Sequence, residues 1–321
     1  MGYLPERFPA LRGRTRWLAR SLFVLMCLIC LLTGVSSPVA LMLGILLALL
    51  LGNPFLQLTQ AATGILLKLS VVGLGFGMSI HQAVAASQDG FLLTVISIAS
   101  TLGLGALLAL RMGINRHAGQ LIASGTAICG GSAIAAVAPV IKASHRDMSV
   151  ALGVVFILNS IALLVFPVVG NWLLMTQEQF GLWAAIAIHD TSSVVGASVS
   201  YGEEALAIAT TVKLGRALWI IPLSLLLAVV SGGSLRRISI PWFIGLFIVA
   251  MLINSFVPAV QGISADIVEW SKRGLVLTLF LIGSTMTRDL LTSVGLRPML
   301  YGFSLWMVIA LVSLGLILSN F

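Results

Sequence analysis

Charge is what this sequence lacks most. Only 9% of its 321 residues are charged while 59% are hydrophobic, against roughly 25% charged residues in an ordinary soluble domain. The 18 Lys and Arg with 10 Asp and Glu cannot form the hydrated shell that a water-soluble chain of this length needs. Soluble enzymes and secreted scaffolds are thereby excluded. Cysteine is also scarce: Cys27 and Cys30 sit inside an apolar run and Cys129 in a glycine-rich stretch. Neither a disulfide framework nor a metal site is implied by that spacing. Nucleotide motifs are missing too, since no Walker A lysine occurs and the GLGFG run at Gly73 to Gly77 lacks the G-x-G-x-x-G spacing. Transport powered directly by ATP on this chain is excluded, and no cofactor is expected.

What is present is a series of apolar runs. About eleven, near 18–34, 37–52, 60–80, 90–110, 118–141, 148–174, 180–200, 204–231, 240–260, 267–287 and 297–319, approach the roughly 20 residues a bilayer-spanning helix needs. The expected fold is an all-α polytopic membrane protein with about 10–11 transmembrane segments, one transmembrane domain over 1–321. The net charge of +8 falls in short clusters between these runs, so it reads as a topology signal and not as a nucleic-acid surface. Arg7, Arg12, Arg14, Arg16 and Arg20 precede the first run without a clear A-x-A cleavage site. A retained first helix, with residues 1–17 in the cytoplasm, follows better than a secretory signal.

Arg111, Arg116, Arg236, Arg237, Arg288 and Arg297 fall in loops on the side of the N-terminus, with Asp89, Asp266 and Glu269 opposite. Lys142 and Arg146 break that pattern if every run crosses. They would regain the basic side if 118–141 and 180–200 re-entered instead of crossing. Charge favours re-entry, and broken, fully crossing helices remain the alternative.

Those two runs are also the poorest membrane helices. The first, SGTAICGGSAIAAVAPVI, carries Gly125, Gly130 and Gly131 among small polar residues, and each glycine costs a helix roughly 1 kcal/mol relative to alanine. A break near Gly130 and Gly131 would open a second half-helix whose N–H groups, beside Ser132, attract anions. The second, AIAIHDTSSVVGASVSYGEE, places His189, Asp190, Thr191, Ser192 and Ser193 in succession. Asp190 or Thr191 would cap a half-helix there. Close packing of small residues, or an interfacial loop, is the plainer reading of each.

Sliding the chain by 61 positions lays Cys129 to Ile134 on Asp190 to Val195, and G-x-x-M-[ST] recurs at Gly75 and Gly283. Inverted repeats are common in transporters. The two offsets differ, so they do not report one duplication.

Lys213 and Arg216 lie three residues apart on one helix face within an apolar run. Each cation at the bilayer centre costs about 2.5–3.5 kcal/mol on insertion scales. Lys213 stands about 14 Å of helix from Glu203 and Glu204, too deep for easy snorkelling. A polar cavity or Asp190 is the expected partner. Lys68, closer to its segment's end, is an accessory candidate.

The signatures GTAICGGSAIAAVAPVI and HDTSSVVGASVSYGEEALAIATTVKLGRALWIIP resemble the YeiH-type family of bacterial inner-membrane proteins, often labelled sulfate exporters. The most specific elements are Cys129 to Ile134 and the V-K-x-x-R-x-x-x-x-x-P run at Val212, Lys213, Arg216 and Pro222. Asp190 stands where glutamate is also familiar. The resemblance implies the fold shared by sodium/proton antiporters and bile-acid/sodium symporters: inverted repeats, a panel domain, and a core domain with broken helices.

The leading functional expectation is a secondary transporter exporting a small anion of the sulfate, sulfite or sulfonate class. Gly130, Gly131, Ser132, Thr191, Ser192, Ser193, Lys213 and Arg216 are the candidate substrate ligands, with His189 and Asp190 for a coupling proton or sodium ion. The alternative is a cation/proton antiporter with Asp190 as ion site, and more remotely a passive anion channel. An intramembrane hydrolase built on His189 with Ser192 or Ser193 lacks the geometry of a triad, and HExxH is absent. Expected partners are the small inorganic or organic anion, the coupling ion and the lipid bilayer, with association between copies left open.

Overall fold

The computed structural model describes residues 13–231, 242–286 and 294–320. Among these all regular structure is helical: α1 (Gly13–Leu32), α2 (Ser37–Leu50), α3 (Leu56–Leu74), a 3-10 turn at Gly75–Gly77, α4 (Ile80–Arg111), α5 (Arg116–Ala127), α6 (Gly131–Val140), α7 (His145–Trp172), α8 (Gln177–Ala187), α9 (Thr191–Tyr201), α10 (Glu203–Ala217), α11 (Ile220–Ser231), α12 (Trp242–Phe256), α13 (Pro258–Ser284) and α14 (Leu296–Asn320). Five stretches, Leu56–Gly77, Thr94–Arg111, His145–Trp172, Glu203–Leu227 and Leu296–Ser319, are long and apolar enough to cross a bilayer by length and composition. The protein is an all-α, multi-pass membrane protein. Arg7, Arg12, Arg236, Arg237, Thr287 and Arg288 lie outside the described residues.

Local sequence sets the helix starts. Asn115 opens α5 by accepting from His117 N (2.9 Å) and Ala118 N (3.3 Å). Ser144 and Asp147 form a reciprocal capping box at α7, and Thr176 and Gln179 another at α8. Pro258, whose missing N–H costs nothing in a first turn, opens α13.

Two layers result. In one, α13 packs chiefly on α2 and α3, with α1 and α12 completing it. The contact of α2 with α13 is a backbone approach, because a methyl on Gly44 would lie 2.8 Å from Ser284 N and 3.1 Å from Gly283 C. The other layer holds α4 to α11 and α14, and α9 touches the first layer through α13 and α2.

Within the second layer the two poor helices fold back as hairpins. At α8/α9 this is direct: Tyr201 Oη donates to Met175 O (2.7 Å), and Gln177 Oε1 accepts from Glu204 N (3.1 Å). The end of α9 therefore lies beside the start of α8. At α5/α6, Gly125 faces Ile134 across the turn, with 3.0 Å between the Ile134 side chain and a methyl placed on Gly125. Both arms run beside α11, since α6 packs on it and Arg116 to Ser124 of α5 share a cavity with Leu223 and Leu227.

α14 shows that the hairpins enter from opposite ends. Near its start Tyr301 Oη donates to Gly105 O (3.0 Å) and lies 3.2 Å from Gly119 O, at the end of α4 and the beginning of α5. Farther along, Trp306 Nε1 donates to Ala187 O (3.0 Å) and Trp183 Nε1 to Ala310 O (2.9 Å), placing the start of α8 toward the far end. Arg111, Arg116, Lys142, Arg146 and Arg297 consequently share one end of the bundle. The charge anomaly of the fully crossing arrangement disappears.

The 61-residue offset also reappears in the element borders. Shifted by 61, α5, α6 and α7 become 177–188, 192–201 and 206–233, against α8, α9 and the α10–α11 pair. Entry from opposite ends makes this repeat an inverted one. A shift of 208, the spacing of Gly75 and Gly283, carries α3 onto 264–282, inside α13.

A labelling experiment checks the topology. Single cysteines replacing Arg116, Arg146 or Asp266, all exposed, are introduced into a background without Cys27, Cys30 and Cys129. An impermeant maleimide applied from the periplasm should modify 266 and spare both 116 and 146; labelling of 146 alone among the basic positions would restore the crossing arrangement.

Candidate functional site

The hairpin tips meet at mid-bundle. In each, the chain leaves one helix at its C-terminus and re-enters another at its N-terminus, over Ile128 to Gly130 and Ile188 to Asp190. Gly130 makes the first turn possible with φ +64° and ψ −123°, a region essentially reserved for glycine. A methyl there would stand 3.2 Å from Asp190 Cβ, so the tips are in van der Waals proximity.

Each tip exposes two kinds of helix end. The C-termini of α5 and α8 present carbonyl oxygens lacking an intrahelical donor, with the negative pole of the helix dipole behind them. Lys213 and Arg216, adjacent on α10 and both 0% exposed, occupy this negative region. Lys213 Nζ donates to Ile188 O (2.6 Å) and Ala185 O (3.2 Å). Arg216 Nε donates to Ala127 O (2.7 Å) and its Nη1 to Ile186 O (3.0 Å). One guanidinium therefore ties the C-terminus of α5 to that of α8. The sequence pointed to a cavity or Asp190 as the partner of these cations, whereas their described hydrogen bonds run to main-chain carbonyls.

The N-terminal ends differ from one another. Asp190 caps α9, accepting from Ser192 N (3.1 Å) and, through the same oxygen, from Ser192 Oγ. No side chain caps α6. The N–H groups at Gly131 and Ser132 thus open a helix whose positive pole is unneutralised by any acid of its own. Thr191, Ser192 and Ser193 are buried in the first turn of α9, while Ser132 is exposed.

Asn159, in the middle of α7, holds the second tip in place. Its Oδ1 accepts from His189 N and Asp190 N, both at 3.1 Å. Asn159 belongs to no sequence motif, and a lone amide deep in an apolar span is its only signal in the sequence. Several polar atoms around the tips are buried without partners: Arg216 Nη2, Asn159 Nδ2, Thr126 Oγ1 and both ring nitrogens of His189. His189 hydrogen-bonds neither Ser192 nor Ser193, so no base and nucleophile are paired.

The structure thus brings Gly130, Gly131, Ser132, His189, Asp190, Thr191, Ser192, Ser193, Lys213 and Arg216 to one crossing. Lys68 stands apart in the other layer, its Nζ 5.8 Å from the centroid of the Trp242 ring.

A family described as "Conserved hypothetical protein 698" matches residues 21–302. A UPF0324 membrane protein of Photobacterium profundum is 50% identical over 319 residues, covering 98% of both chains. The chain belongs to the UPF0324 family. Another UPF0324 membrane protein, from Bdellovibrio bacteriovorus, is 47% identical over 308 residues and 94% of each chain. One from Geobacter sulfurreducens is 44% identical over 301 residues, 92% of this chain and 96% of its own. No solved structure matches the chain. The resemblance drawn from the Cys129 and Lys213 signatures is therefore borne out, and these UPF0324 relatives extend across both layers and both hairpins.

Proposed function

We propose that this UPF0324 protein is a secondary active transporter of small anions, working by alternating access around the crossing of its two hairpins. The observation that carries the reading is Arg216, which ties the C-termini of α5 and α8 yet keeps one buried nitrogen without an acceptor. A buried donor without an acceptor is costly, and an incoming anion relieves that cost. The N-terminus of α6, which no side chain caps, follows shortly after the Ala127 carbonyl that Arg216 holds and is a further end that attracts anions. Broken helices whose ends face a mid-membrane site are a recurrent transporter device. Two layers, joined largely through α9, are the two bodies between which alternating access would take place.

The cargo class we favour is sulfate, sulfite or a sulfonate, exported across the bacterial inner membrane. Asp190 is the proposed coupling residue, exchanging a proton or holding sodium, with His189 beside it. Because Asp190 shares the tips with two cations, an arriving anion competes for their field and changes how strongly Asp190 holds a proton. A cation/proton antiporter would use the same carboxylate with Lys213 and Arg216 as fixed counter-charges. Proteoliposomes carrying an internal pH dye separate the two readings. Proton movement that requires external sulfur oxyanion supports the anion transporter, and sodium-dependent proton movement without any such anion overturns it.

A further inference from the structure

Asn159 is 3% exposed, and its orientation is determined by what it holds. Two backbone N–H groups point at Oδ1; exchanging oxygen and nitrogen would set donors against donors, so the amide has one sensible placement. Its NH2 group is consequently committed to a direction in which it finds no acceptor. Thr126, 1% exposed, has an unpartnered hydroxyl next in sequence to Ala127, whose carbonyl holds Arg216. Arg216 Nη2 is the third such group. Two of the three atoms can only donate, and the hydroxyl is free to donate as well. An occupant that satisfies them brings acceptors.

We propose that Asn159 contacts the transported anion directly, through Nδ2. The inference rests on the anion reading of the same site and adds to it a ligand-contacting residue.

Thermal unfolding of the purified full-length protein in detergent tests it, with sodium sulfate, sodium phosphate and sodium chloride compared at equal ionic strength. Bound ligand raises apparent stability by mass action. The wild type should be stabilised by sulfate beyond the effect of chloride. Asn159→Asp keeps an acceptor for the two N–H groups but turns the free donor into an acceptor, so sulfate should bind at least about tenfold more weakly. Thr126→Val removes a hydroxyl that has no partner, so the ligand-free protein should be as stable as wild type or more so, with a reduced sulfate response. Should Asn159→Asp fail to fold, Thr126→Val decides alone. Sulfate responses equal to wild type in the folded variants would overturn the assignment of these donors. A wild type indifferent to every anion would bring down the anion reading itself along with this inference.

Discussion

Replacing Arg216 with methionine is expected to abolish anion uptake and to lower the stability of the protein measurably. The side chain does two things that methionine cannot: it satisfies Ala127 O and Ile186 O, and it neutralises the negative ends of α5 and α8 together. A buried carbonyl left without its donor costs about 1–3 kcal/mol, and here two are released. Lys213→Met frees Ile188 O and Ala185 O in the same way. Arg216→Lys is the more informative change, because it keeps the charge and loses the planar fork that spans both hairpins and still presents a free nitrogen. It should insert and purify as a folded protein, yet transport poorly. Transport equal to wild type in a folded Lys213→Met/Arg216→Met double variant, measured in proteoliposomes, would remove both residues from the site.

Asp190→Asn should separate binding from energisation. Asparagine retains a side-chain oxygen for Ser192 N and is as good an N-cap as aspartate, so α9 should still begin at Thr191. What disappears is a group able to gain and lose a proton beside Lys213 and Arg216. The variant should therefore still exchange labelled anion across a membrane at equal pH on both sides. Accumulation driven by an imposed pH gradient should fall to the level of empty vesicles. Undiminished pH-driven accumulation would place the coupling residue elsewhere.

How much of this was legible in the sequence differs from element to element. Gly130 and Asp190 announced the two breaks because glycine-rich and cap-forming residues are expensive inside an apolar helix, a local property that survives without tertiary context. The spacing of Lys213 and Arg216 announced a shared buried face for the same local reason. The return of each hairpin to its own side was not legible in hydropathy, which scores a re-entrant pair and a crossing helix alike. Ile134 against Gly125 and Tyr201 at Met175 decide that point, and both are contacts that form only once the chain has turned back. Only the charges of Lys142 and Arg146 hinted at it. The partners of Lys213 and Arg216 were also hidden, since a main-chain carbonyl at a helix end carries no residue identity that a sequence displays. Asn159, one amide in a long apolar run, forms no motif; its meaning comes from the two N–H groups that the facing hairpin delivers to it.

The claim at the centre of the account is that the hairpin crossing binds and translocates a small oxyanion. Counterflow tests it most directly: proteoliposomes loaded with unlabelled sulfate, sulfite or a short alkanesulfonate are diluted into trace label of the same ion, with Arg216→Lys vesicles run in parallel. Transient, saturable accumulation of label is expected for at least one of these ions in the wild type, and its loss in the variant. Absence of counterflow for all of them, together with sodium-driven proton movement that needs no anion, would contradict it.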